Sequence, residues 1–91
     1  MIGVVGAGSF GTAIANIIAD RNPVLLFVRD KEKAATIEQS RRNSNQDIHP
    51  NITITNNIRQ IGEQCEVIFP IVPSANFRSM MVQLSPYLKP Y

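Results

Sequence analysis

The sequence predicts an α/β fold built on a parallel sheet with helices on both faces. Three observations carry that prediction. Strand-length apolar runs and helical patterns alternate four times along the chain, the order expected of βαβ crossovers. The second run, Val24-Leu25-Leu26-Phe27-Val28, is apolar without interruption, as in a strand covered on both faces; a half-exposed strand would alternate. A glycine-rich turn, Gly6-Ala7-Gly8-Ser9-Phe10-Gly11, joins the first run directly to the first helical pattern.

Each element has its own signal. Ile2 to Val5 is a short β-branched run ended by Gly6. From Ser9 to about Asp20 the apolar residues Phe10, Ala13, Ile14, Ile17 and Ile18 recur at spacings of three and four, the stripe of an amphipathic helix. Asn22-Pro23 stops it, because a residue before proline avoids the helical region. After Val28, Asp30 is placed to cap a second helix, with Lys33 where Glu or Gln would complete a capping box. The polar stretch from Arg41 to Pro50 reads as a connection. Ile52-Thr53-Ile54-Thr55 alternates and predicts an edge strand. Ile58 and Ile61 predict one or two helical turns between Asn57 and Gln64. Val67 to Val72 is the third strong apolar run, ended by Pro73-Ser74. Phe77, Met80, Met81 and Leu84 then return to helical spacing, as core packing against the sheet requires. Pro70 can donate no ladder hydrogen bond, so a bulge or a sheet edge is expected there.

Composition narrows the function. With 91 residues the chain has room for one hydrophobic core, and a domain this small buries only about 60–65% of its unfolded surface. A net charge of +2 gives no footprint for nucleic acid. Arg29, Lys31, Lys33, Arg41 and Arg42 are interleaved with Asp30, Glu32 and Glu38, the pattern of a solvated helix face. Cys65 is the single cysteine. It can form neither an intrachain disulfide nor a cysteine metal cluster, and it reads as a small buried residue rather than a nucleophile. A catalytic thiol would need a basic partner, and His49 is the single histidine; no metal site is expected. No apolar run reaches the roughly 20 residues of a membrane span. The chain opens directly on a strand with no signal-peptide pattern, and the expected compartment is the cytoplasm.

The chemistry lies in the glycine-rich turn. G-x-G-x-x-G is a weak pattern alone, but here it follows a strand and opens a helix within a unit of about 30 residues, as the dinucleotide fingerprint demands. Gly6 permits the tight turn, Gly8 lets a pyrophosphate approach the backbone, and Gly11 lets the helix pack on the strand. The helix N-terminus then offers N–H groups and the positive dipole end to phosphate. The expected architecture is a partial Rossmann dinucleotide-binding fold with strand order 3-2-1-4. A second anchor lies at the end of the second strand. There an acidic residue serves the ribose hydroxyls of NAD, whereas an arginine accommodates the 2′-phosphate of NADP. Arg29-Asp30 presents both. Arg29 comes first after Val28 and its planar guanidinium suits phosphate, while Asp30 has an alternative use as a cap. The reading favours NADP, with NAD also served.

Gly6-Ala7-Gly8-Ser9-Phe10-Gly11-Thr12-Ala13-Ile14-Ala15 resembles the opening of NAD(P)-dependent glycerol-3-phosphate dehydrogenases, typically G-A-G-S-W/Y-G-T-A-L-A. The resemblance extends to Leu26-Phe27-Val28-Arg29-Asp30, to Ile48-His49-Pro50-Asn51-Ile52 and to Val72-Pro73-Ser74, and so covers essentially the whole chain. It implies that Ser9 and Phe10 meet the pyrophosphate side of the cofactor and that Arg29 lies at its adenosine end. The loop containing Pro73, with Phe77 beyond, would line its middle. There are departures. Phe10 stands where the family has Trp or Tyr, and the Tyr-Leu-Pro-Gly stretch before the third strand is missing.

In the family, a catalytic lysine lies on the next strand, and a C-terminal helical domain holds a second lysine and the substrate-phosphate residues. Residues 1–91 are therefore expected to form the N-terminal portion of a dinucleotide-binding domain, with the substrate domain and every catalytic residue outside it. Lys89 aligns with the connection before that strand and carries no catalytic role. The intact parent would interconvert sn-glycerol 3-phosphate and dihydroxyacetone phosphate, a step that serves glycerophospholipid biosynthesis, with a homodimer left open as its assembly. Two alternatives stay open: another reductase of the 6-phosphogluconate or ketopantoate type, and a non-catalytic nucleotide-sensing module.

Overall fold

The computed structural model describes residues 1–6, 8–43, 45–71 and 74–87. Four strands form one parallel sheet: β1 (Ile2–Val5), β2 (Val24–Phe27), β5 (Ile52–Thr55) and β6 (Val67–Pro70). Their order is β5-β2-β1-β6, which is 3-2-1-4 when the sheet strands are counted along the chain. Helices α1 (Ser9–Ala19), α2 (Lys31–Ser40), α3 (Ile58–Gln64) and α4 (Ser74–Leu84) connect or follow them, and a 3₁₀ turn covers Ser85–Tyr87.

Strand register follows the two-residue period of the side chains. Val4 and Leu26 fall in one buried cluster with Ala15, Ala19, Ala34, Ile37, Ile52 and Ile54, so α1 and α2 cover that face. Val5, Leu25 and Phe27 fall in the other, with Ile61, Cys65 and Leu84 from the α3–α4 side. The continuous apolar run of β2 is thereby explained, since every residue from Val24 to Val28 is buried on one face or the other. Cys65 is buried, as expected of a core cysteine.

The chain steps from β1 to β2 to β5 in one direction, then returns across the sheet to β6 on the far side of β1. Crossovers of a single hand put the helices of the two directions on opposite faces. Strand order thus reverses between β1 and β6, and the crevice outside their carboxyl ends is where open α/β sheets take ligands.

Three expectations need adjustment. First, the apolar stripe of α1 is only partly its buried face, with Ile18 packed against the core cluster and Ala13 and Ile14 half-buried. The buried residues are Gly11, Thr12, Ala15 and Ala19, while Phe10 and Ile17 are 66% and 72% exposed. Small side chains let the helix approach the sheet closely, which the larger ones would prevent. Second, the polar connection contains a hairpin of two short strands, β3 (Arg42–Asn43) and β4 (Gln46–Asp47), pairing Arg42 with Asp47 and Asn43 with Gln46. Asn45 turns it with φ of 63°, a left-handed conformation that asparagine tolerates. Third, the strand expected over Val67 to Val72 spans Val67–Pro70 and is largely exposed.

Pro70 is accommodated as its chemistry demands. The Ile71 amide donates to the Val5 carbonyl at 2.7 Å, so the amides of 69 and 71 face β1 and position 70 faces away. Among the described residues β6 pairs only with β1, and no ladder bond is lost at the proline.

Candidate dinucleotide site

The end of β1 is held from both sides before the chain turns. The Gly6 amide donates to the Phe27 carbonyl at 3.4 Å, and the Val5 carbonyl accepts from Ile71. Gly6 then adopts φ of 117°, a region that residues with a Cβ rarely enter. Gly8 is the N-cap residue of α1, and its carbonyl accepts from the Thr12 amide at 3.0 Å.

The other two fingerprint glycines differ in the space around them. A Cβ on Gly11 would sit 2.0 Å from the Gly6 carbonyl oxygen, so the helix can lie against the end of β1 only without one. A Cβ on Gly8 would meet no atom within 4 Å. Space next to that backbone is open. Helix α1 has no side-chain cap and no acidic residue in its first turn. Helices α2 and α3 differ, being capped by Asp30 and Asn57. The N-terminus of α1 thus keeps its dipole uncompensated, as anion binding requires. Ser9 is exposed in this first turn, and beside it Phe10 presents an exposed aromatic ring. Ala7 lies outside the described residues.

Arg29 and Asp30 follow the carboxyl end of β2, both exposed. Asp30 has a structural role, since its Oδ1 accepts from the Glu32 and Lys33 amides at 2.9 and 3.2 Å and so closes the start of α2. Arg29 is held through its backbone. The side-chain amide of Asn56 donates to the Val28 carbonyl at 2.8 Å and to the Arg29 carbonyl at 2.7 Å, tying the loop after β2 to the end of β5. Sequence reasoning misses Asn56, because Asn56-Asn57 signals only a turn. Pro73 lies outside the described residues. Phe77 falls within α4, and its side chain is outside them too. Among the described residues no group of three or more His, Cys, Asp or Glu could hold a metal ion, and no helix is long and apolar enough to cross a membrane.

A strand-turn-helix of this geometry at a sheet's switch point defines a Rossmann-type dinucleotide-binding domain. The comparison with known families is more particular. The model of the NAD-dependent glycerol-3-phosphate dehydrogenase N-terminus matches residues 1–91, and the chain belongs to that family.

Individual relatives agree. The chain is 34% identical to glycerol-3-phosphate dehydrogenase (NAD(P)+) 2 of Mycolicibacterium paratuberculosis, over 97% of this chain and 28% of the relative. It is 37% identical to a glycerol-3-phosphate dehydrogenase (NAD(P)+) of Pseudomonas savastanoi, over 97% of this chain and 26% of the relative. A Methanothermobacter thermautotrophicus enzyme of the same name is 35% identical, over 98% and 29% respectively. The chain therefore spans a little over a quarter of the length of the curated relatives it matches. This match supports the glycerol-phosphate reading over the ketopantoate-type reductase and the nucleotide-sensing module.

Proposed function

We propose that this chain is the cofactor-binding portion of an NAD(P)-dependent oxidoreductase that interconverts sn-glycerol 3-phosphate and dihydroxyacetone phosphate. The observation that carries the proposal is the glycine cradle, closed to a side chain at Gly11 and open at Gly8, in a chain of this family. Gly6, Gly8 and Gly11 shape the turn that admits the pyrophosphate, Ala7 is assigned to the same site from its place in the motif, and the first turn of α1, with Ser9 and Phe10, holds it. Arg29 takes the 2′-phosphate of NADP. Asp30 caps α2 and offers its carboxylate to the ribose of NAD. Pro73 and Phe77 are assigned to the middle of the cofactor, as the family resemblance implies.

When bound, the nicotinamide accepts or gives the hydride. The residues of this chain bind and orient it, and none is assigned to the chemical step. Substrate binding and catalysis belong to the rest of the parent enzyme, in a substrate domain beyond residues 1–91. The parent works in the cytoplasm, and a homodimer is the assembly to test by light scattering of the intact enzyme.

Titration calorimetry of the chain with NADP and NAD tests the assignment. The Arg29→Ala variant should lose about tenfold or more in NADP affinity, the size of a charge-assisted phosphate contact, with NAD affinity unchanged. Equal losses for both cofactors would remove Arg29 from the 2′-phosphate site.

A further inference from the structure

The β3–β4 hairpin has no part in the sheet, yet its side chains reach α1 along one stripe. Gln46 Nε2 donates to the Ser9 carbonyl at 2.9 Å. Asn43 Nδ2 donates to Thr12 Oγ1 at 2.8 Å, with both residues buried. One turn further, Asn16 Nδ2 donates to the Asp47 carbonyl at 2.8 Å, and Asn16 Oδ1 accepts from the His49 amide at 3.0 Å. Positions 9, 12 and 16 are spaced by three and four, so these bonds line a single side of the helix.

The sheet-facing side of α1 cannot do the same work. Its apolar contacts come from Gly11, Ala15 and Ala19, with Ile18 partly buried against the same cluster, and small side chains give contact with little interlocking. Apolar contact is non-directional, so it fixes how close the helix lies but not its rotation or its slide along its axis. Hydrogen bonds are directional. Two of them, one turn apart at the start of α1, fix both. They act where accuracy matters for a ligand: the Ser9 carbonyl lies in the first turn, and the Thr12 amide is bonded to Gly8 itself.

We infer that the hairpin is a positioning element for the pyrophosphate cradle, acting through Asn43 on Thr12 and through Gln46 on Ser9. The inference rests on the cofactor reading above. Asn43 and Gln46 are positioning residues that act through α1 and need not touch the dinucleotide.

The test uses the ¹⁵N-labelled chain, titrated by NMR with NADPH and with adenosine 2′-monophosphate, which reaches the Arg29 end but carries no pyrophosphate. Asn43→Ala and Gln46→Ala should each weaken NADPH binding about three- to tenfold, the size of one directed hydrogen bond. Affinity for adenosine 2′-monophosphate should be unchanged, a selectivity that general loosening of the fold would not produce. Gln46 lies on the more accessible strand of the hairpin, so its variant tests the idea even if Asn43→Ala fails to fold. Unchanged NADPH affinity, or equal losses for the two ligands, overturns this inference alone. Failure of the unaltered chain to bind NADPH overturns the cofactor reading and the inference with it.

Discussion

At position 11 even a methyl group has no room, because the backbone oxygen of Gly6 lies 2.0 Å from where it would sit. The obstacle is backbone, which cannot rotate away as a side chain could. Gly11→Ala should therefore destabilise the chain by about 3 kcal/mol, the upper end of the overpacking range, with the loss read by urea denaturation. A midpoint within error of the unaltered chain would show that α1 can lift off β1 without cost. The fingerprint glycines are legible in the sequence because their requirement is local: turn, close approach and ligand access follow from three positions on one strand-turn-helix. Asn43, Gln46 and Asn56 are not. Their partners Thr12, Ser9 and the Val28 and Arg29 carbonyls lie between 27 and 37 residues away in the chain, and nothing in an asparagine's immediate neighbours says which distant carbonyl it will reach.

Among the elements, the strands are the most legible and the helix faces the least. The runs at Ile2–Val5 and Ile52–Thr55 coincide with β1 and β5, since apolar β-branched residues at strand length leave few alternatives. The face of α1 misleads in part, for a physical reason. A large-residue stripe ordinarily marks the buried side, but a helix that must touch the end of a strand buries its smallest residues instead, leaving Phe10 and Ile17 outside. The hairpin escapes sequence reading because strands of two residues carry no periodicity. Caps are partly legible. Asp30 is expected from its position after β2; Asn57, whose Oδ1 accepts from the Arg59 amide at 3.0 Å, is not. Asp30→Ala and Asn57→Ala should each cost about 1 kcal/mol by thermal or urea unfolding. The ion pairs should matter less: Arg42–Asp47 and Arg59–Glu63 are both well exposed, and pairs of this kind contribute about 0–1 kcal/mol.

For the molecule as a whole, the strand order and its reversal beside β1 determine where a ligand can go. The alternation of elements and the handedness of crossovers lead to a parallel sheet with helices on both faces, and the glycine fingerprint selects this order among the doubly wound ones. The same topology puts β6 at the side of the described sheet, where a proline with its nitrogen turned outward is tolerated. On the cofactor reading, this arrangement holds a dinucleotide, with the backbone at Gly8 left bare for its pyrophosphate. Gly8 has φ of −73°, which alanine adopts freely, and an added Cβ would touch nothing in the protein. Calorimetric titration of the unaltered chain and the Gly8→Ala variant with NADPH, alongside their unfolding curves, therefore separates ligand access from stability. The unfolding free energies should lie within about 0.5 kcal/mol of each other, and the unaltered chain should bind where the variant does not. Equal NADPH affinity in the two proteins would contradict a pyrophosphate seated on Gly8.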